Sequence, residues 1–219
     1  TKFFTPINAP KAEVIDDTTW VNNVYAQQNG FSLAYDQPIP VDGVTIVAVV
    51  RPKHDPVGGE PRGEIVDFYY NMLALSVDHG DGLVRVCRGN YDFVPTGYSI
   101  PDGQKTILSL VVQSTGEYEV FANGTKIASV VTTWDVTALL PDEAWKDAPI
   151  TIGRNTWDGW STFNGNIGDV YVYRVALVDE DRQAREADLA KKFDVTLPTL
   201  VNPPTDLVAT GGAAQVELA

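Results

Sequence analysis

Ile150-Thr-Ile-Gly-Arg-Asn-Thr-Trp-Asp-Gly-Trp-Ser-Thr-Phe-Asn-Gly-Asn-Ile-Gly-Asp-Val-Tyr-Val-Tyr173 divides into three parts. Ile150 to Gly153 reads as a short strand, and Arg154 to Thr162 as a polar loop with two tryptophans. From Phe163 the chain alternates. Phe163, Gly165, Ile167, Asp169, Tyr171 and Tyr173 fall on one face, and Asn164, Asn166, Gly168, Val170 and Val172 on the other. Period-2 alternation bounded by glycines predicts a strand. A helix is expected next, from Asp179 to Phe193. Asp179 would be its N-cap, with Glu180 and Asp181 in the first turn and Lys191 and Lys192 in the last, where they complement the helix dipole. Leu189 and Phe193, spaced i,i+4, would dock it on a sheet.

Outward from this block the chain is rich in strands. Val44 to Arg51 is almost wholly apolar, as a central strand covered on both faces must be. Glu64 to Phe68, Met72 to Asp78 and Leu83 to Arg88 read as a meander, with a turn at Asp78-His79-Gly80-Asp81-Gly82. Antiparallel pairing would bring the connections Tyr69-Tyr70-Asn71 and Gly89 to Asp92 to one end of the sheet. Thr106 to Gln113 and Glu117 to Ala122 form a further pair. Asn123-Gly124, both tolerant of positive φ, is a two-residue hairpin turn into Thr125 to Val131. The same residues with Thr125 spell a glycosylation sequon, but the tight turn accounts for each of them. Residues 1–30 hold short edge-strand candidates at Val14-Ile15 and Thr19 to Val21, and Phe31 to Tyr35 reads as another strand. Thr132 to Ala148 is expected to be a long insert.

The closing block resembles the end of a laminin-G-like, concanavalin-A-like jelly-roll domain. The resemblance rests on Ile152, Gly153, Phe163, Gly165, Ile167, Asp169, Val170, Val172, Tyr173, Arg174, Ala176 and Leu177. Thr45, Ile46, Ala48, Val50 and Pro52 match the family's long strand. It implies an all-β fold, a jelly-roll sandwich of two antiparallel sheets with one short C-terminal helix, over residues 1–197. Residues 198–219 begin with a proline-rich linker. From Pro203-Pro204 they resemble the first strand of a fibronectin type III domain, too short to fold here. This implies a multidomain extracellular or cell-surface parent, of the kind that includes bacterial carbohydrate-active enzymes, with covalent neighbour domains.

The totals narrow the function. At 219 residues and 44% hydrophobic the chain can bury a full domain core. A net charge of −13 argues against nucleic acid and anionic membrane partners, both of which want basic surfaces. No apolar run is long enough for a membrane span. Thr1 in place of an initiator Met suggests a mature or excised piece. The lone cysteine, Cys87, can form no intrachain disulfide and reads as a small buried hydrophobe, with neither His54 nor His79 placed to activate it.

Three loops combine aromatic rings with planar polar groups: Arg154, Asn155, Trp157, Asp158 and Trp160; Tyr70 and Asn71; and Arg88 and Tyr91. A sugar ring offers apolar C–H faces and a hydroxyl rim, so it needs this pairing of platform and hydrogen-bonding edge. The expected function is a non-catalytic carbohydrate-binding module using these residues, with a polysaccharide or glycan as partner. The alternative is an adhesion or spacer domain whose tryptophans only plug the sandwich. A hydrolase or lyase of the same fold ranks third. Glu117 and Glu119 are neighbours on one strand face but flank a solvated hairpin, while Glu64 and Asp67, three apart, are expected on opposite faces. The family resemblance allows a structural calcium bound by loop oxygens. Asp92, Asp158 and Asp169 qualify only by type, and no motif fixes ligands.

Overall fold

A computed structural model describes residues 5–8, 10–23, 30–33, 43–55, 62–68, 72–89, 92–130, 150–155 and 161–198. Fourteen strands and one helix follow in chain order. They are β1 (Thr5–Ile7), β2 (Lys11–Ile15), β3 (Thr18–Asn23), β4 (Gly30–Leu33), β5 (Val44–Pro52), β6 (Arg62–Phe68), β7 (Leu73–Asp78) and β8 (Leu83–Cys87). Then come β9 (Phe93–Ser99), β10 (Thr106–Val112), β11 (Tyr118–Ala122), β12 (Thr125–Val130), β13 (Ile150–Ile152), β14 (Gly165–Tyr173) and α1 (Asp179–Phe193).

They build two seven-stranded antiparallel sheets. The front sheet has the order β1-β4-β13-β6-β7-β8-β9 and the back sheet β12-β11-β10-β5-β14-β3-β2. The chain repeatedly crosses between the layers, so β13 enters between β4 and β6, and β14 between β5 and β3. This is a concanavalin A-like jelly-roll sandwich.

The main core lies between the sheets. Ile46, Ala48 and Val50 of β5 face Val66, Leu75 and Val86 of the front sheet within one buried cluster. The opposite side of β5, Val47 and Val49, belongs to a second cluster with Trp20, Ile107, Leu189 and Phe193 beneath α1. Burial on both sides explains why β5 shows no polar alternation. The Asn123-Gly124 turn forms as expected, with φ of 49° and 82°, and Ala122 pairs with Thr125 across it.

The structure changes three of the expectations and adds a strand that had none. First, β14 does not keep one phase. Ile167 pairs with Val50 but Val170 with Ala48, which inserts an extra residue at Gly168-Asp169. Such a bulge flips the alternation. Phe163 and Ile167 therefore belong to the inter-sheet core with Val170 and Val172, while Tyr171 and Tyr173 turn toward α1. Second, β6 carries a bulge of its own. Glu64 pairs with Ser76 and Val66 with Leu75. Ile65 and Val66 both enter the core, so Glu64 and Asp67 share the outer face instead of opposing one another. Third, Phe93–Ser99 is a strand although Pro95 and Gly97 interrupt its pattern. It is the last strand of the front sheet, and an edge tolerates proline. Fourth, the helix N-cap is Val178, with no side-chain cap. Asp179 is the first helical residue and serves the dipole and an ion pair with Arg182.

Candidate functional site

The tryptophan loop has a rigid base. The Gly153 N–H donates to Ile65 O (2.9 Å), the Phe163 N–H to Gly153 O (2.9 Å) and the Glu64 N–H to Ser161 O (2.8 Å). Thr162 forms an isolated parallel bridge with Glu64. Buried His79 contacts Thr162 O through Nε2 at 2.8 Å. A Cβ on Gly63 would lie 2.7 Å from that ring nitrogen, so glycine leaves the room the imidazole needs against β6. Both ends of the loop are thus stitched to the first half of β6. Asn155, at its start, is buried. The Arg154 Nε donates to Asn155 O at 3.0 Å, and the Thr151 hydroxyl to Arg154 O at 2.6 Å. Arg154 Cγ lies 2.9 Å from where a Gly30 Cβ would stand, so its side chain crosses β4.

The outer face of the front sheet continues from this base and is polar. The register sets Thr151, Asp67, Ala74, Cys87 and Phe93 in one row and Glu64, Ser76, Arg85 and Pro95 in the next. Glu64 and Asp67 are both 0% exposed. Arg85 grips Asp78 with its Nε at 3.0 and 2.9 Å from the two carboxylate oxygens and Nη2 at 2.8 Å. The Arg62 guanidinium sits 3.7 Å from the centre of the Phe93 ring, spanning from β6 to β9 over the two strands between them. That is cation–π range. Burial pushes the Cys87 thiol up, and the negative charges of Glu64 and then Asp67 push it further. Cys87 is a buried thiol on this face, a small buried hydrophobe as the sequence suggests.

The expected site residues separate into two groups. β13 runs antiparallel to β6, so Arg154 and Asn155 stand where β6 begins. Arg88 follows β8 at the end where β6 finishes, next to the Phe68–Leu73 and Ala74–Cys87 pairs. There its Nε donates to Asp92 at 2.7 Å, near Tyr118, whose hydroxyl is raised chiefly by burial. Trp157, Asp158, Trp160, Tyr70, Asn71 and Tyr91 lie outside the described residues, as do residues 131–149 and 199–219. Sequence reading did not pick out Arg62, Asp78 or Arg85. Their signal was charge at period 2 on otherwise apolar strands, and the β6 bulge hid which acids share that face.

Glu117 and Glu119 differ in their surroundings. Glu117 is exposed, and Glu119 is ion-paired with Lys126 on the neighbouring strand. Of the calcium candidates, Asp158 lies outside the described residues. Asp92 is held by Arg88, and both oxygens of Asp169 accept from Lys192 at 2.7 Å. Among the described residues no group of three or more His, Cys, Asp or Glu side chains is arranged to hold a metal.

Comparison with known proteins now bears on this geometry. The family model of the concanavalin A-like lectin/glucanases superfamily matches residues 23–181. The chain belongs to that superfamily. No curated protein matches it. Among solved structures, this superfamily member is similar to domain 4 of AbnA, an extracellular arabinanase from Geobacillus stearothermophilus, solved with arabinotriose. Identity is 19% and the TM-score 0.55, over 83% of this chain and 81% of that one. Trypanosoma rangeli sialidase matches at 21% identity and a TM-score of 0.59, over 82% of this chain but only 28% of the sialidase. The binding domain of Paraclostridial Mosquitocidal Protein 1 matches at 12% identity and a TM-score of 0.64, over 86% and 48%. At these identities the likeness is one of fold. No described helix is long and apolar enough to cross a membrane.

Proposed function

We propose that the chain is a non-catalytic carbohydrate-binding module of a larger secreted or cell-surface protein. It holds polysaccharide at the front sheet and the loops around it. Trp157, Trp160, Tyr70 and Tyr91 supply stacking surfaces, and Arg154, Asn155, Asp158, Asn71 and Arg88 bond hydroxyls. Residues 198–219 lead to a following fibronectin type III domain in the parent chain.

One observation carries this reading. The back sheet covers its outer face with a helix, whereas the outer face of the front sheet carries Arg62, Asp78 and the partly exposed Arg85 beside a loop whose described ends are hydrogen-bonded to β6. Superfamily membership and the arabinotriose-bound relative support the same ligand class.

The test is a polysaccharide microarray probed with the 219-residue chain and with Trp157→Ala and Trp160→Ala. Binding to at least one polysaccharide, weakened about tenfold or more by either substitution, is expected, since base-free stacking on an indole contributes on the order of a kcal/mol or more. Binding that survives both substitutions sinks the assignment of residues. Absence of binding across the array sinks the function.

A further inference from the structure

We propose a second glycan-binding surface, on the back sheet at the margin of α1, where Tyr171 and Tyr173 supply rings and Arg185, Asp169 and Lys192 the polar edge. It takes its ligand class from the carbohydrate-binding reading above but shares none of its residues. The helix lies over β5 and β10, and β14 is the next strand out. Its bulge at Gly168-Asp169 turns Tyr171 and Tyr173 onto the outer face, where an i,i+2 spacing keeps them side by side. Both border the apolar cluster beneath α1 and stay half exposed. Their planes differ by 20° and their centres stand 6.4 Å apart.

The edge of this patch is held in place. The Arg185 Nε donates to the Tyr173 hydroxyl at 2.7 Å, and its guanidinium carbon lies 4.5 Å from the Tyr171 ring centre. Its acid, Asp188, stands 3.6 Å from Nη1, beyond an ordinary hydrogen bond, so the terminal N–H groups can serve a ligand oxygen. The Tyr171 hydroxyl donates to Asp169 at 3.2 Å, and Asp169 pairs with Lys192, their side chains 28% and 52% exposed. Burial first, then Asp169, raises the Tyr171 hydroxyl, which keeps its proton. The same two groups lead into a cleft. β3 pairs with β14 only as far as Ile167, and where the strands part a cavity of about 480 Å³ opens, lined by Asp17, Thr18, Trp20, Gly168, Asp169 and Lys192. That volume is in the range of small-ligand sites. Apolar ring surface bordered by fixed donors and acceptors suits C–H faces with a hydroxyl rim. It suits an apolar protein partner less, because Arg185, Asp169 and Lys192 interrupt the rings before they make a continuous apolar patch.

The experiment is an amide NMR titration of the 15N-labelled 219-residue chain with hexasaccharides of arabinan, xylan and mixed-linkage glucan. At least one sugar should shift the amides of Asp169, Tyr171, Tyr173 and Arg185 to saturation. Tyr173→Ala and Arg185→Ala should each weaken that response about fivefold, the scale of one aromatic contact. Unmoved β5 amides in each variant show that its fold survives. Shifts confined to Arg154, Asn155 and Arg88 overturn this second surface and leave the carbohydrate reading standing. The same β14 shifts on concentrating the sugar-free chain would assign the patch to a second copy and overturn it as well. No shifts with any sugar overturn both.

Discussion

Across β5 the back sheet turns Val47 and Val49 outward to Trp20, Leu189 and Phe193. Across β6 the front sheet turns Glu64 and Asp67 outward into two adjacent rows, Asp67 with Thr151 and Glu64 with Ser76 and Arg85. The inner faces of the two sheets are alike in chemistry. On the back sheet the helix buries an apolar surface, and the Trp20 and Phe193 rings meet edge to face at 4.8 Å. Even its charged contacts are closed. Arg182 and Glu186 are 2% and 1% exposed. Glu186 also accepts from the Ser109 hydroxyl at 2.6 Å, and the guanidinium lies 3.5 Å from the Phe121 ring centre. On the front sheet the ionic groups reach from strand to strand and remain partly open at Arg85 and Arg88. One outer face is closed by a helix, and the other carries the partly exposed arginines.

The largest expected effect lies on the back sheet. Arg182→Ala leaves Glu186 buried without its cation and should cost about 3–5 kcal/mol in urea unfolding, whereas a paired apolar replacement, Arg182→Met with Glu186→Leu, should cost far less. If the single substitution proves mild, the helix is not closed by this pair and the contrast weakens. Next comes Arg85→Ala on the front sheet. Asp78 stays buried but loses bonds to a charged donor, a loss of about 1.5–3 kcal/mol. The same variant should weaken polysaccharide binding, a readout that Arg182→Ala should move only through stability. An Arg85→Ala chain that binds unchanged would detach the polar face from the site.

The smallest effect concerns the thiol beneath that face. Burial, then Glu64, hold the Cys87 pKa above its ordinary value. Well below about pH 8.5, at which an unfolded thiol is half ionised, the group adds no pH dependence. Above it the unfolded chain releases a proton that the folded chain keeps, so stability falls as pH rises. Cys87→Ala should remove at most about 1.4 kcal/mol per pH unit from that alkaline decline in urea-unfolding series. Native Cys87 should also resist iodoacetamide until the chain is unfolded; rapid labelling of the native protein would show the face to be open there.

Much of the architecture was legible from residue order alone. The helix bounds, the β5 strand, the Asn123-Gly124 hairpin and most of the meander follow from periodicity and turn chemistry, which are local properties. Edge strands were harder. β9 carries Pro95 and Gly97, and its place at the margin of the sheet excuses both only once the strand order is known. The candidate site was legible only in part. Arg154, Asn155 and Arg88 were picked by residue type, and the structure places them at opposite ends of the front sheet. Arg62, Asp78 and Arg85 were passed over because charges on a strand usually mark a solvated face.

The alternation of apolar residues, the glycine-bounded turns and the acidic-to-basic helix determined that this chain is a two-sheet sandwich with one helix, because each depends on interactions within a few residues. Which side of β6 holds its acids, and which half of β14 meets the helix, was decided by two bulges. A bulge is a mismatch between paired strands, here β6 with β7 and β14 with β5, so it belongs to neither strand alone. Adding one residue reverses every side chain beyond it, and only the partner strand records that the residue was added.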